Sequence, residues 1–290
     1  MPRPFAAVPP RLLRIFSDVH YGDPASRVRR LAQLRPLLDG VDHVVLNGDT
    51  LDTRPGRRPI YTAECRAAVE TFFGEHSAAT TYLTGNHDPD ISPHHALDLA
   101  GGQVFVTHGD ILWDNIVPWG RDAAPIGRRI AAGLAELTPA ARATLAARFA
   151  VWRHVAASTP QRHQSEPRGL RYLLAFLADT LWPPLRTLRV LGAWRGEAPL
   201  AAALARAHRP RAKFVLLGHT HRPRAGRTVA GVTAINTGSF CAPLGGCVVD
   251  LAPGRLAVRC VVRRGGEFRA GRIVAEFPLA EADAFADKPA

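Results

Sequence analysis

Two histidines two residues apart, His219 and His221, follow directly on the apolar run of "LLGHTH". In a strand, residues i and i+2 project to the same face, so both imidazoles are expected to reach one point. Gly218 gives the backbone room to turn as the strand ends. Polar groups also close four earlier apolar runs: Asp18 and His20 in "FSDVH", Asp49 in "LNGD", Asn86, His87 and Asp88 in "LTGNHD", and His108 in "VTHGD". Singly, each reads as a turn, a helix cap or an ordinary histidine. Together they bring carboxylates, an amide and imidazoles to five strand ends. Such a mixture suits Mn, Fe, Zn or Co better than Mg or Ca, with manganese the first expectation. Seven ligands exceed the needs of one ion and fit two divalent ions sharing a carboxylate. Such a pair acidifies a water held between its members and clamps the oxygens of a phosphoryl group.

The elements that must hold these residues are legible as buried strands at 11–20, 43–49, 80–88 and 103–110, with helices near 26–38, 62–76 and 93–100 between them. The third helix is expected from Ser92 as N-cap, Pro93 at its first position and Gly101 past its end. This alternation indicates an α/β domain, in which ligands collect at the carboxyl ends of strands. From about residue 121 the pattern turns helical. Thr138 and Pro139 open a long alanine-rich helix, another is expected over 167–182, and a shorter one near 198–208. Strands return with "KFVLLGHTH" at 213, then "VTAINTGSF", "GCVVDL" and "RLAVRCVVRR". The reading is one α/β domain, 1–120 and 213–290, interrupted by a helical insertion, 121–212.

The 290 residues carry a net charge of +12, distributed as −3 over 1–120, +11 over 121–213 and +4 over 214–290. Nearly all of it is arginine, with Lys213 and Lys288 the only lysines. A solvated basic face and an anion-binding surface are both open readings. The opening "MPRPFAAVPPRLLRIF" lacks the apolar core of a signal peptide, and no stretch approaches the ~20 apolar residues of a membrane span, so a cytoplasmic location is expected. Cys65, Cys241, Cys247 and Cys260 are too scattered for a disulfide framework; Cys241 and Cys247 can be read as metal ligands, with small buried thiols the preferred reading.

The ordered set "DVH…GD…GNHD…H…GHTH" resembles the calcineurin-like metallophosphoesterases over about 1–120 and 213–250. The resemblance implies a four-layer α/β/β/α metallophosphoesterase sandwich with a dinuclear metal centre, here carrying a helical cap insertion. By position, Asp18, His20 and His221 would hold one metal and Asn86, His108 and His219 the other, with Asp49 bridging. His87 matches a histidine near the scissile phosphate that is not a main ligand. It would stabilise charge or protonate the leaving oxygen as hydroxide attacks phosphorus in line. Asp52, Asp88 and Asp110 are expected to orient ligand imidazoles, with turn-capping the competing reading.

The insertion, with "VTHGD" and "GHTHRP", is also similar to the UDP-2,3-diacylglucosamine pyrophosphatases, which hold acyl chains under a helical cap. Leu170, Leu173, Leu174, Leu177 and Leu181 recur at helical spacing, and Phe176, Trp182, Leu185 and Leu188 extend the apolar surface. Such a cap would cover a phosphorylated small molecule or lipid-linked substrate, with arginines meeting a diphosphate or, peripherally, an anionic membrane. Those enzymes typically carry Arg after the motif Asn, where this chain has His87. A nuclease reading uses the basic insertion to hold a nucleic acid backbone, though aromatics to stack bases are sparse. A binding module without catalysis has against it that no expected ligand is missing.

Overall fold

The computed structural model describes residues 11–76, 78–161, 174 and 185–280, and its strands form two sheets. In chain order they are β1 (Leu13–Phe16), β2 (His43–Asn47), β3 (Ala79–Leu83), β4 (Ala96–Leu99), β5 (Val104–Thr107), β6 (Phe214–Leu217), β7 (Arg224–Val229), β8 (Val232–Asn236), β9 (Cys247–Ala252), β10 (Arg255–Arg264) and β11 (Glu267–Pro278). The first sheet has the order β11-β10-β9-β1-β2-β3, the second β4-β5-β6-β8-β7. In each, the ligand-bearing strands are parallel neighbours: β1 with β2 and β2 with β3, β5 with β6. Parallel neighbours point their carboxyl ends the same way, which is what gathers the polar residues at one edge.

Runs such as "VVL" in β2 and "FVLL" in β6 are apolar without alternation because both of their faces are covered. Leu13, Ile15, Val45 and Val249 of the first sheet meet Val104, Val106, Leu216 and Ile235 of the second. The outer face of the first sheet, with Phe16, Val44 and Leu46, packs on α1 (Arg35–Leu38) and α2 (Pro59–Glu75) through Leu37, Leu38, Val69 and Phe73. On the outer face of the second, Phe105, Val215 and Leu217 pack on α3 (Ala123–Ala135), α5 (Leu145–Ala157) and α6 (Leu185–His208). The result is an α/β/β/α sandwich. Its fourth layer comes from the span between β5 and β6. Ala198, Ala201, Ala202 and Ala205 of α6 are small enough to seat that helix closely on the sheet.

Several elements differ from expectation. The segment expected to be helical at 93–100 contains β4, which pairs antiparallel with β5. Ser92 serves a turn: its hydroxyl donates to the Tyr82 carbonyl (2.6 Å) and accepts from His94 N–H (3.1 Å). Leu97 and Leu99 then face the inter-sheet core while Asp98 turns out to Arg209, a period of two in only four residues. The expected helix at 26–38 is one turn of 3-10 helix (Leu31–Leu34) followed by α1. The alanine-rich helix is split into α4 (Pro139–Arg142) and α5, because Thr144 provides a second N-cap six residues after Thr138. α6 begins at Leu185, well before the expected 198, and carries Pro199 internally. β7 and β11 were not expected. The helix anticipated over 167–182 lies outside the described residues except for Leu174. No described helix is long and apolar enough to cross a membrane.

Candidate metal centre

The backbone, more than strand alternation, aims the polar residues. Asp18, His20, Asp49, His219 and His221 all have positive φ, between 49° and 66°. Left-handed backbone at non-glycine residues costs about 1–3 kcal/mol each and persists where surrounding bonds enforce it. Those bonds are present: Asp18 N–H donates to Gly48 O and His20 N–H to Asp49 O (3.0 Å each), and Gly218 N–H to His108 O (2.8 Å). This corrects the reading of "LLGHTH". β6 stops at Leu217, and His219 and His221 are themselves in left-handed backbone, His219 grouping with Asp49 and His108 and His221 with His20.

Six of the seven side chains fall into groups with metal-ligand spacing, and the seventh, Asn86, follows Gly85 beside Asp49. Asp49 Oδ2 lies 3.2 Å from His108 Nε2 and 3.8 Å from His20 Nε2. Asp18 Oδ1 lies 3.2 Å from His221 Nε2 and 3.7 Å from His20 Nε2, and these two ring nitrogens are 3.1 Å apart. Asp49, His108 and His219 form one group with metal-ligand spacing and Asp18, His20 and Asp49 another, so Asp49 belongs to both. All but His221 are buried, and His221 is partly so. Asn86 Oδ1 is buried with no hydrogen-bond partner, and His108 Nε2 has only its 3.2 Å contact with the Asp49 carboxylate. A buried acceptor without a partner is costly unless something electropositive completes it. A divalent ion does so, and the donor set fits one.

Carbonyls select the free ring nitrogens. His108 Nδ1 is 2.9 Å from Asn47 O, which fixes the proton on Nδ1 and leaves Nε2 as the lone pair. His219 Nε2 is 2.9 Å from Ile116 O, which leaves Nδ1. A ligand imidazole is held by such an outer bond. Among the described residues, no hydrogen bond joins Asp52, Asp88 or Asp110 to the imidazole of a candidate ligand. Asp88 instead accepts from the backbone N–H groups of Asp49, Thr50 and Gly85 (2.9, 2.7 and 2.8 Å), and so places Asp49 itself. Burial and the nearby Asp49 push its pKa up to about 7 while those donors pull it back. Asp110 opens a short 3-10 turn after His108. Asp52 holds His87: its Oδ2 is 2.8 Å from His87 Nδ1.

Burial works to raise the pKa of Asp18, yet its bonds to His20 and His221 hold it below the usual carboxylate range. Burial works to lower His20, yet Asp18 and Asp49 lift it to about 9. Burial and His108 press His219 down to about 3. The two carboxylates are therefore charged and in contact with imidazoles that hold protons in the absence of metal, protons that a bound cation would displace. Close approach needs glycine at Gly85. A Cβ there would lie 2.5 Å from Asp49 N and overlap the Asp49 carboxylate. Gly85→Ala is expected to abolish binding of at least one metal ion, read by elemental analysis, while far-UV circular dichroism stays native-like.

Three functional residues escaped the sequence reading. Arg54 forms a two-pronged pair with Asp52 (Nε–Oδ1 3.0 Å, Nη2–Oδ2 2.6 Å) and its Nη2 is 2.8 Å from His87 Nδ1. It lines, with Asn86, His87, Trp119, Arg121 and Arg186, a cavity of about 200 Å³ beside the site. Glu197 and Trp194 of α6 hold the residue between the two histidines. Glu197 Oε1 accepts from Thr220 Oγ1 (2.7 Å) and Asn236 Nδ2 (2.6 Å), and Trp194 Nε1–H donates to Thr220 O (3.1 Å). Only chain folding brings these together, though a glutamate inside an alanine-rich helix was a local signal. Glu197→Ala leaves the Thr220 hydroxyl without its acceptor, while Asn236 Nδ2 keeps Gly218 O (2.6 Å). It is expected to weaken metal affinity about 10–100-fold, measured by competition with a chelating dye; unchanged affinity would separate α6 from the site.

A family model for calcineurin-like phosphoesterases matches residues 13–223. The chain belongs to this family of dinuclear, metal-dependent phosphoester hydrolases. Its match spans β1 through the histidine pair and includes the helical span. No match is found among curated proteins. Similar solved structures include a dimetal phosphatase from Danio rerio (16% identity, 93% of this chain and 99% of that one, TM-score 0.45). Vacuolar protein sorting 29 from Cryptosporidium parvum (12%, 93% and 98%, 0.41) and a cold-active protein-tyrosine phosphatase of a psychrophile Shewanella species (15%, 96% and 83%, 0.42) are also similar. No activity is carried from them to this chain.

Proposed function

We propose that the protein hydrolyses a phosphoester or pyrophosphate bond at two divalent transition-metal ions sharing Asp49. Asp18, His20 and His221 hold one, and Asn86, His108 and His219 the other. The observation that carries this is the convergence of six carboxylate and imidazole side chains in linked groups, two of which share Asp49. Bound there, the ions supply a water acidified toward neutral pH and neutralise charge on the phosphoryl oxygens. The chain's own groups do the rest. Arg54 presents a fixed guanidinium at the cavity, suited to a phosphoryl oxygen. His87 Nδ1 donates to Asp52 or accepts from Arg54, so its other nitrogen can serve as acceptor or donor without the ring moving. Arg121, Ala123, Ile126 and Thr159, all from the span after β5, wall the same cavity. That placement supports the insertion as the part that selects substrate.

A lipid-linked substrate, with peripheral contact to an anionic membrane, is the second reading. Its support is the exposure of Leu185, Leu188 and Leu191 at the start of α6, one helical face beside the arginine-bearing cavity wall. A substrate screen of manganese-loaded protein tests both. Bis(p-nitrophenyl) phosphate is expected to be hydrolysed and chelation to stop it; inactivity on every ester with both ions bound would overturn the catalytic reading. Cleavage of a diacylated nucleotide sugar would establish the second reading, and salt-sensitive cleavage of DNA would replace it with a nuclease.

A further inference from the structure

Cys241 was read from the sequence as a small buried thiol. Buried it is, but it does not sit in the core with Cys247. It forms a third group with metal-ligand spacing, together with His20 and His221, with one ligand atom from each inside 4.8 Å of the others. Two residues of that group are candidate ligands of the Asp18-side ion. We propose that Cys241 is a further ligand of that ion, making this half of the centre a sulfur-containing site that takes a thiophilic ion such as zinc, iron or cobalt in preference to manganese or magnesium.

The inference rests on the dinuclear reading and deepens it. Zn–N bonds of about 2.0–2.1 Å and Zn–S bonds of about 2.3 Å let two ligands on opposite sides of one ion lie about 4.4 Å apart. The observed bound is a few tenths of an ångström beyond that reach. The loop bearing Cys241 is tied to the ligand strand. Phe240 N–H donates to Asp18 O (3.0 Å), Ser17 Oγ contacts Thr237 Oγ1 (2.6 Å), and Cys241 N–H donates to Ser239 Oγ (3.2 Å). The residue therefore arrives beside Asp18 and His20 by the same bonds that place them. A second, independent observation is the facing pair of ring nitrogens. His20 Nε2 and His221 Nε2 lie 3.1 Å apart with Asp18 Oδ1 3.2 Å from the latter. Without metal a single proton can bridge the two nitrogens; an ion placed there would take the lone pairs of both. As the sulfur–metal bond forms, the thiol proton passes to solvent, so one more proton leaves than from the serine variant. Thiolate then biases the site toward softer ions.

Cobalt titration decides the matter without reference to turnover. Wild-type protein binding two Co²⁺ is expected to show sulfur-to-cobalt charge-transfer absorption in the near ultraviolet, and the bound ion to protect one thiol from an aromatic disulfide reagent. Cys241→Ser is expected to keep two cobalt ions, lose that absorption, and bind one of them at least about 10-fold more weakly, with a smaller preference for zinc over manganese. Two bound cobalt ions with no sulfur absorption and equal thiol reactivity with and without metal would overturn the proposal and leave the dinuclear reading intact. No cobalt binding at all would overturn both. Because the wild-type spectrum is decisive, a poorly folding serine variant does not blur the result.

Discussion

Asp49→Asn is expected to lower bound metal from two ions to one or fewer and turnover by about 10³–10⁵. Asparagine is the informative replacement. It keeps the shape of the side chain and tolerates the left-handed backbone found here (φ 53°). It also keeps an acceptor for His87 N–H, which Asp49 Oδ1 receives at 2.8 Å. What it loses is the negative charge that belongs to both ligand groups. Its amide would also face His108 Nε2, now 3.2 Å from Oδ2, and fill with a hydrogen bond the lone pair an ion would use. In chelator, the variant is expected to match wild type in thermal stability to within about 1 kcal/mol, since a buried charge among imidazoles has been removed with little change of shape. In metal, only wild type is stabilised by ligand binding. Elemental analysis and paired melts check this. Two ions retained with near-normal turnover would show that Asp49 does not bridge.

Much of this site could be read from the chain because strands deliver residues to their own ends. "FSDVH", "LNGD", "LTGNHD", "VTHGD" and "LLGHTH" each sit on or just after a strand, and parallel pairing brings those ends together. The reason first given for the histidine pair was nevertheless incomplete. Side-chain alternation belongs to extended backbone, whereas the left-handed turns at His219 and His221 arise from tertiary bonds that no local pattern reports. The same limit explains β4. Ser92 and Pro93 are genuine helix-start residues, and only pairing with Val104–Thr107 converts "ALDL" into a strand. Glu197 and Cys241 lie far in sequence from the residues they meet, and their positions follow from α6 crossing the second sheet and from the loop after β8. Arg54 is different. It stands two residues after Asp52 in "LDTR", close enough to have been considered, and was hidden because arginine is common throughout this chain.

His87→Ala is expected to reduce turnover about 10²–10³ while both metal ions stay bound. The separation of these two effects is the content of the prediction. His87 lies in the same "GNHD" turn as Asn86, and its ring centroid is 5.0 Å from that of His20. Its side-chain partners are nonetheless Asp52 and Arg54, and it belongs to none of the ligand groups found among the described residues. Burial and the Arg54 guanidinium hold its pKa below the ordinary imidazole value, so near neutral pH it carries a single proton. A neutral ring beside a carboxylate and a guanidinium can donate its N–H as a hydrogen bond to a phosphoryl or leaving oxygen; to protonate that oxygen it must first take up a second proton, and Asp52 steadies the positive charge the ring then carries. Alanine removes this and leaves every candidate ligand in place. His87→Gln restores a hydrogen-bond donor that cannot act as a proton-transferring acid. It is expected to recover part of the rate on substrates with a good leaving group such as p-nitrophenolate, and little with an alkoxide. Equal losses for both leaving groups would limit His87 to charge stabilisation. Loss of metal from His87→Ala would instead make it a ligand and move the reacting phosphorus away from the cavity that Arg54 lines.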